Sequence, residues 1–393
     1  MSLPLPKPSG SMASFLLYVF TFWVALYLVK LTPLGMKLEK KGITIDFLLL
    51  LIRTKRLNSF IEKIGEGYRR FWDKFFYISS FLSIILMAFG IWFFHVNTIH
   101  FFSRSKAYVP VQPIIPGFNI GLNSLPYLLV ALAIVLISHE LAHGIAASAE
   151  GIPLSSAGLL LLFILPGGFV EPSENEFNKA SFKVKFKVLA AGSVANLYVG
   201  LLTILLLTSL FSPAGVIVVR TVSGSPAQAH LMANDIIIGI DSSTVNSIND
   251  IIKALNKFQP GQFITLRIRR GASLLKIKLK LGRHPRDPTR PFIGIEMSNY
   301  YDFKFFRGVI PVPLTSFISN VMVWTINLCL TVAVVNMLPT YLVDGGKIIS
   351  EVIRRFVKGK LARALELTLF SYMAIIFILN IGPAFLYMQR WRP

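Results

Sequence analysis

The chain has 393 residues, 54% hydrophobic and only 15% charged, with 40 Lys+Arg against 19 Asp+Glu for a net charge of +21. A soluble globular domain is about one-quarter charged, so the composition excludes an ordinary soluble enzyme, and the apolar residues fall in blocks of membrane-spanning length. No nucleic-acid-binding motif accompanies the basic excess, which reads as loops facing anionic lipid; the single cysteine, Cys329, excludes an intramolecular disulfide and a cysteine-rich metal cluster.

The first 15 residues, MSLPLPKPSGSMASF, are rich in Pro, Gly and Ser and are expected to be disordered. Apolar runs follow at 12–31, 76–96, 125–149, 188–211, 310–338 and 365–388. Each is near or above the roughly 20 residues that cross a bilayer as a helix, so about six spans are expected. The first run lacks a small-residue cleavage site after it and is not read as a signal peptide. Two shorter runs, ITIDFLLLLI at 43–52 and AGLLLLFILPGG at 157–168, are too brief to span and are expected to be re-entrant or interfacial.

Loop charge sets an orientation. Segment 32–75 holds ten Lys/Arg and 97–124 holds two; 150–187 holds four and 347–364 holds six. The basic segments are therefore expected on the cytoplasmic side of a multi-pass cell-membrane protein, with both termini and 212–309 outside. The absence of disulfides and transit signals points to a prokaryotic membrane.

The third run contains His139-Glu140-Leu141-Ala142-His143. Residues four apart on a helix project from nearly one face, so both imidazoles reach one cation with Glu140 beside them. That arrangement suits Zn²⁺ with Glu140 as general base. An unpaired charge at mid-bilayer costs on the order of 2.5–3.5 kcal/mol, which argues against an incidental polar patch. A catalytic zinc takes a third protein ligand. Glu171, Glu174, Asp241 and Asp302 are candidates, but Asp344 in NMLPTYLVDGGK (336–347) stands out: Pro339 breaks the helix and Gly345-Gly346 frees the backbone after it. The competing reading of Asp344 is a helix cap in an ordinary loop. Depth favours the ligand reading. His139 lies about 21 Å along a span entered from outside at Leu125, and Asp344 follows the inner end of the fifth span.

An H-E-x-x-H in a membrane span joined to a distal N-x-x-P-x-x-x-x-D-G (Asn336, Pro339, Asp344, Gly345) resembles the site-2 protease family of intramembrane zinc metalloproteases. PGGFVEP (166–172) resembles that family's short membrane-embedded hairpin, and AAGSVANL (190–197) its G-x-x-x-N element, with Gly192 and Asn196. The resemblance covers about 125–350. Met337 departs from members that carry a second proline there. The resemblance implies His139, His143 and Asp344 as ligands of one Zn²⁺ and Glu140 as base. It offers Asn196 and Asn336 as oxyanion or substrate contacts, Asn196 alternatively as interhelical packing, and Gly168, Phe169 and Val170 as an edge that pairs with an unwound substrate.

Residues 212–285 switch to short alternating strands, turns and one amphipathic helix. Ser225-Pro226-Ala227, Asp235-Ile236-Ile237, Pro260-Gly261 and Arg270-Gly271 resemble a PDZ domain of bacterial envelope proteases, with Gly215, Val216, Ile217 and Val218 as the expected peptide-groove edge. The expected fold is a polytopic α-helical membrane protein with short re-entrant or β-hairpin elements, plus a small α+β PDZ domain. Its expected divisions are 1–124 (spans and basic loop), 125–211 (first half of the core), 212–285 (PDZ), 286–309 (linker) and 310–393 (second half of the core). The expected function is cleavage of single-span membrane substrates, in regulated intramembrane proteolysis or signal-peptide remnant clearance. The PDZ would act outside as size filter or peptide binder, anionic lipid is an expected partner, and nucleic acid is not. A metal transporter or sensor and a catalytically silent PDZ scaffold are the rival readings.

Overall fold

The computed structural model describes residues 10–115, 119–285, 287–306, 308–341 and 343–390. The disorder expected of the N-terminal segment falls largely on residues 1–9, outside the described residues. The chain divides into two compact units, residues 1–201 with 324–393, and residues 202–323.

In the first unit, α1 (Gly10–Lys30) gives way to α2 (Pro33–Lys40). Pro33 cannot continue α1, and the Thr32 hydroxyl accepts from Gly35 N to start the new helix. The two axes differ by 86°. Strands β1 (Ile43–Asp46) and β2 (Leu49–Arg53) come next, then the amphipathic α3 (Lys55–Gly67) and the long α4 (Arg69–Phe102). Helix α5 (Leu125–Ala149) carries the H-E-x-x-H residues and is followed by β3 (Leu154–Leu162), β4 (Leu165–Pro172), the short α6 (Glu174–Lys179) and α7 (Phe182–Leu210). Among the described residues, five helices are long and apolar enough to cross a membrane, or six if the bent α1–α2 pair is one span. The chain is a polytopic α-helical membrane protein with a small β-sheet domain. Bulky apolar side chains such as Phe81, Ile84, Ile85, Leu201 and Ile375 are exposed on the spanning helices, as expected of faces turned to lipid.

The two runs too short to span are strands of one sheet, ordered β1-β2-β3-β4 and antiparallel throughout. Each hairpin reverses over two residues, and the hairpins join through β2 and β3, from Leu49↔Leu162 to Arg53↔Gly158. Pairing of this kind lets Leu-rich backbone sit among apolar surroundings with its amides satisfied. β4 ends the sheet.

In the second unit, β5 (Phe211–Thr221), β6 (Ile236–Ile240), β7 (Ser243–Thr244), α8 (Ile248–Leu255), β8 (Phe263–Arg270), β9 (Ser273–Lys280), β10 (Gly282–Arg283), β11 (Pro291–Phe292) and β12 (Ile295–Phe303) form a PDZ-like domain. Its main sheet runs β12-β5-β6-β8-β9, with β7 beside β6. Alternation along β8 buries Ile264, Leu266 and Ile268 against Val216, Val218, Ile237 and Ile251.

Two expectations are corrected here. The segment 286–309, expected as a linker, supplies β11 and β12, and β12 pairs with β5 from Ile295↔Thr221 to Phe303↔Phe211. The expected groove edge, Gly215 to Val218, is therefore no edge: β5 lies between β12 and β6, and its Val216, Ile217 and Val218 are buried. The terminal strand on that side is β12.

After the domain, α9 (Val312–Val335) returns the chain to the first unit. It is followed by α10 (Asp344–Phe356) and α11 (Gly359–Arg390).

Candidate metal centre

The helical period of α5 places His139 and His143 one turn apart with their Nε2 atoms 3.1 Å from each other. Asp344 is the first residue of α10, where a carboxylate is also favoured by the helix dipole. Its Oδ2 lies 3.2 Å from both Nε2 atoms. The glycine pair that follows is a steric requirement. A Cβ on Gly345 would sit 2.2 Å from the Met337 carbonyl oxygen, and one on Gly346 would sit 1.8 Å from that of Thr340. The broken segment after α9 can therefore fold back over the start of α10, an arrangement secured by the Gly345 N–H donating to Asn336 O at 2.8 Å.

Three facts test whether this trio suits a metal ion. Four-coordinate zinc with ligands at about 2.0–2.1 Å separates its donors by about 3.3 Å, close to the observed spacing. Asp344 is 6% exposed, and its Oδ2 has no hydrogen-bond partner, an arrangement that is costly unless a cation completes it. Gly192 of α7 lies against both rings, where a Cβ would come within 2.4 Å of His143 Nε2 and 2.6 Å of His139 Cε1. The residues fit a metal, and among the described residues this is the one group of three or more His, Cys, Asp or Glu able to hold one.

The imidazoles are held from behind. His143 Nδ1 lies 2.7 Å from the carbonyl oxygen of Val188 in α7. A carbonyl only accepts, so Nδ1 carries the hydrogen and Nε2 presents a lone pair to the centre. Asn196, fully buried on α7, meets His139 Nδ1 at 3.2 Å and also the Ser138 hydroxyl at 3.2 Å. This corrects the oxyanion expectation for Asn196, because its amide is used on the side of His139 away from the three converging donors. Asn336 is on the other side, with its amide nitrogen 3.4 Å from His139 Nε2.

Glu140 shares a cavity of about 510 Å³ with His139, His143, Asp344, Val170, Asn178 and Lys347. Its Oε2 accepts from Val170 N at 3.3 Å, which places β4 beside the site. Gly168, Phe169 and Val170 all lie on this end strand. Lys347, one turn after Asp344, approaches Oδ1 at 3.4 Å and leaves Oδ2 to the two imidazoles. Its place in DGGK was visible in the sequence as an i,i+3 neighbour. The Val188 carbonyl and the Ser138 hydroxyl had no such signal, because backbone oxygens and lone serines carry no motif.

Comparisons with known proteins find similarity to membrane peptidases and to a PDZ domain. The family model for peptidase family M50 matches residues 127–279. An uncharacterised protein of Methanocaldococcus jannaschii is 28% identical over 331 residues, 84% of this chain and 82% of that one. The membrane-bound transcription factor site-2 protease homolog of Arabidopsis thaliana is 27% identical over 139 residues, 33% of this chain and 27% of that one. Among solved structures, the PDZ domain of an SdrC-like protein from Listeria monocytogenes matches 21% of this chain and 87% of its own, at 26% identity and a TM-score of 0.20. Over residues 127–279 the chain is thus similar to peptidase family M50, and over 139 residues to a site-2 protease homolog.

Proposed function

We propose that the chain is an intramembrane zinc endopeptidase that cuts a transmembrane helix of a second membrane protein. The observation that carries this reading is the convergence of His139 Nε2, His143 Nε2 and buried Asp344 Oδ2 at 3.1–3.2 Å on apolar helices, with Glu140 in the same cavity. His139, His143 and Asp344 would hold the ion. Bound zinc supplies Lewis acidity, polarising a scissile carbonyl and lowering the pKa of an attacking water.

The protein's own groups do the rest. Glu140 takes the proton of the attacking water and returns it to the leaving amine. Val188 fixes the tautomer of His143, and Asn196 orients His139. Asn336, on the donor side, replaces Asn196 as the side chain suited to stabilise negative charge on the carbonyl oxygen. A substrate helix must unwind before attack, and its freed amides need partners in lipid. The end strand β4 offers them by strand addition, as Val170 N–H already meets Glu140.

The basic loops 32–75, 150–187 and 347–364 face the cytoplasm in this reading, and the PDZ-like domain is extracytoplasmic. That domain restricts entry to substrates whose outer part has been removed. An extended peptide would add to its terminal strand β12, beside α8, where Asn299 already accepts from Ile248 N at 2.8 Å. The physiological substrates are membrane-anchored regulators or signal-peptide remnants.

The deciding experiment compares purified wild type with Glu140→Gln on a tagged single-span substrate in detergent or lipid, with zinc content measured for both. Wild type cuts within the span, and the variant retains zinc without cutting. Equal zinc and no cutting by either, across several substrates freed of their ectodomains, would refute the protease assignment.

A further inference from the structure

Lys183, Lys185 and Lys187 open α7 in the stretch FKVKFKV. Basic residues at a helix end in a membrane protein ordinarily extend to the lipid head groups. Lys183 is exposed, as expected of such a residue, but Lys185 and Lys187 are not. Lys187 is 9% exposed, and its ammonium meets Asp73 of α4 at 2.5 Å and also Glu150, the C-cap of α5. The Lys185 side chain is 12% exposed, and both carboxylate oxygens of Glu351 in α10 lie 3.1 Å from its Nζ. Residues two apart on a helix face opposite ways, so the two lysines grip different neighbours.

Of the three partner helices, α5 and α10 supply the metal-site donors. Helix α5 brings His139 and His143, and α10 begins with Asp344. Glu150 lies seven residues after His143, two turns along the same face of α5. The Lys187–Glu150 pair and the Val188–His143 hydrogen bond therefore form one seam between α5 and α7. Gly192 presses on both imidazoles one turn further along α7. A small slide of α7 along α5 would break the Val188 contact and drive helix backbone against the rings. Close packing resists approach but not sliding; directional ion pairs resist sliding.

We infer that Lys185 and Lys187 are positioning residues that lock α7 against the two donor-bearing helices, and that they set the metal affinity of the centre without touching the ion. This rests on the metal-site reading above. The test uses the full chain and Co²⁺, with affinity measured by chelator competition, the visible absorption of bound Co²⁺ as a report of coordination, and a melting curve. Lys187→Met and Lys185→Met are each expected to weaken Co²⁺ binding by about 10–100-fold, the range for residues that orient metal ligands, and to alter the Co²⁺ spectrum; Lys187→Arg restores both.

Because Lys187→Met strands two carboxylates, a neutral variant combining it with Glu150→Gln and Asp73→Asn is measured in parallel. Replacing a buried ion cluster by neutral groups often leaves stability intact. This variant is expected to melt like wild type and still bind Co²⁺ weakly. Wild-type affinity and spectrum in the neutral variant overturn the inference while leaving the metal site standing. No Co²⁺ binding by wild type, or binding unaffected by His139→Ala, overturns both.

Discussion

The side chain of Asn196 meets Nδ1 of His139 at 3.2 Å from within α7, with no exposed surface of its own. As placed, the amide nitrogen faces Nδ1 and the amide oxygen accepts from the Ser138 hydroxyl at 3.2 Å. When Nε2 of His139 serves a metal, Nδ1 bears the ring hydrogen, so the amide turns over and its oxygen accepts it. The Ser138 hydroxyl, able to accept as well as donate, then takes the amide NH₂. Asn196→Ala is therefore expected to lower zinc affinity by about 10–100-fold. Asn196→Asp, which keeps an acceptor, is expected to retain more of it. Chelator competition on the purified variants decides this. Unchanged affinity in Asn196→Ala would return the residue to simple packing.

Gly192 gives a sharper steric test. Glycine inside a helix usually costs about 1 kcal/mol relative to alanine, so Gly192→Ala should favour α7 as a helix. Its Cβ would nonetheless stand 2.4 Å from His143 Nε2 and 2.7 Å from His139 Nε2. The expected outcome is a folded protein with zinc content close to zero, read by metal analysis beside a melting curve. A variant that keeps stoichiometric zinc would show that the rings yield easily.

The reach of the sequence can be judged from particular residues. His139, Glu140, His143 and Asp344 were legible because a helical period and a proline-broken D-G-G segment are local patterns with few alternative uses. Asn196 is open in the sequence to two roles, oxyanion contact or interhelical packing, and the structure adds a third, its contact with His139 Nδ1. Its role depends on the rotation of α7 about its axis, which a string of residues does not carry. β12 was missed for a different reason. Pro285, Pro288 and Pro291 precede it and read as linker, while the strand it pairs with, β5, begins at Phe211, far away in sequence. The groove edge was misplaced on Gly215–Val218 as a direct consequence, since a strand's neighbours decide whether it is an edge.

The PDZ-like domain depends on a buried ion pair. Asp235 is 1% exposed, and Arg270 contacts its two oxygens at 2.8 and 2.7 Å, with Met232 N donating to the same carboxylate at 2.8 Å. Removing one partner of a fully buried pair costs about 3–5 kcal/mol. Arg270 is partly open to solvent, so Arg270→Ala is expected to cost about 1–3 kcal/mol after screening. Hydrogen exchange of β6 and β8 amides in the full-length chain would show the loss, while zinc content stays constant.

The same domain should respond to acid at the start of α8. The carboxylate of Asp250 accepts from Asn246 N–H at 3.0 Å and from the Ser247 N–H and hydroxyl at 2.9 and 3.0 Å. The Asn246 amide, then the Ser247 hydroxyl, hold its pKa below the ordinary carboxylate value. The folded pKa is the lower one, so the stabilisation is present above the unfolded value of about 3.9 and fades as pH falls through the folded value. Protection of the first turn of α8, taken relative to intrinsic exchange at each pH, is expected to fall below about pH 4 in wild type, and Asp250→Asn should flatten that response.

The end strand β4 carries the last prediction. Val170 N–H points away from β3, towards Glu140, and strand alternation gives Gly168 N–H the same direction. Gly168 is thus the amide best placed to pair with an unwound substrate next to the metal centre. Proline removes that donor and is tolerated on end strands, where no ladder bond is lost. A Cβ at this position would find its nearest neighbour, Ile137, at 3.4 Å, an ordinary contact, so alanine serves as the control that keeps the N–H. Gly168→Ala is expected to cut a single-span substrate at close to the wild-type rate. Gly168→Pro should bind zinc normally yet cut at least about tenfold more slowly, the loss of one or two hydrogen bonds to substrate. Equal rates for the two variants would mean that the substrate backbone is held elsewhere, and strand addition at β4 would have to be abandoned.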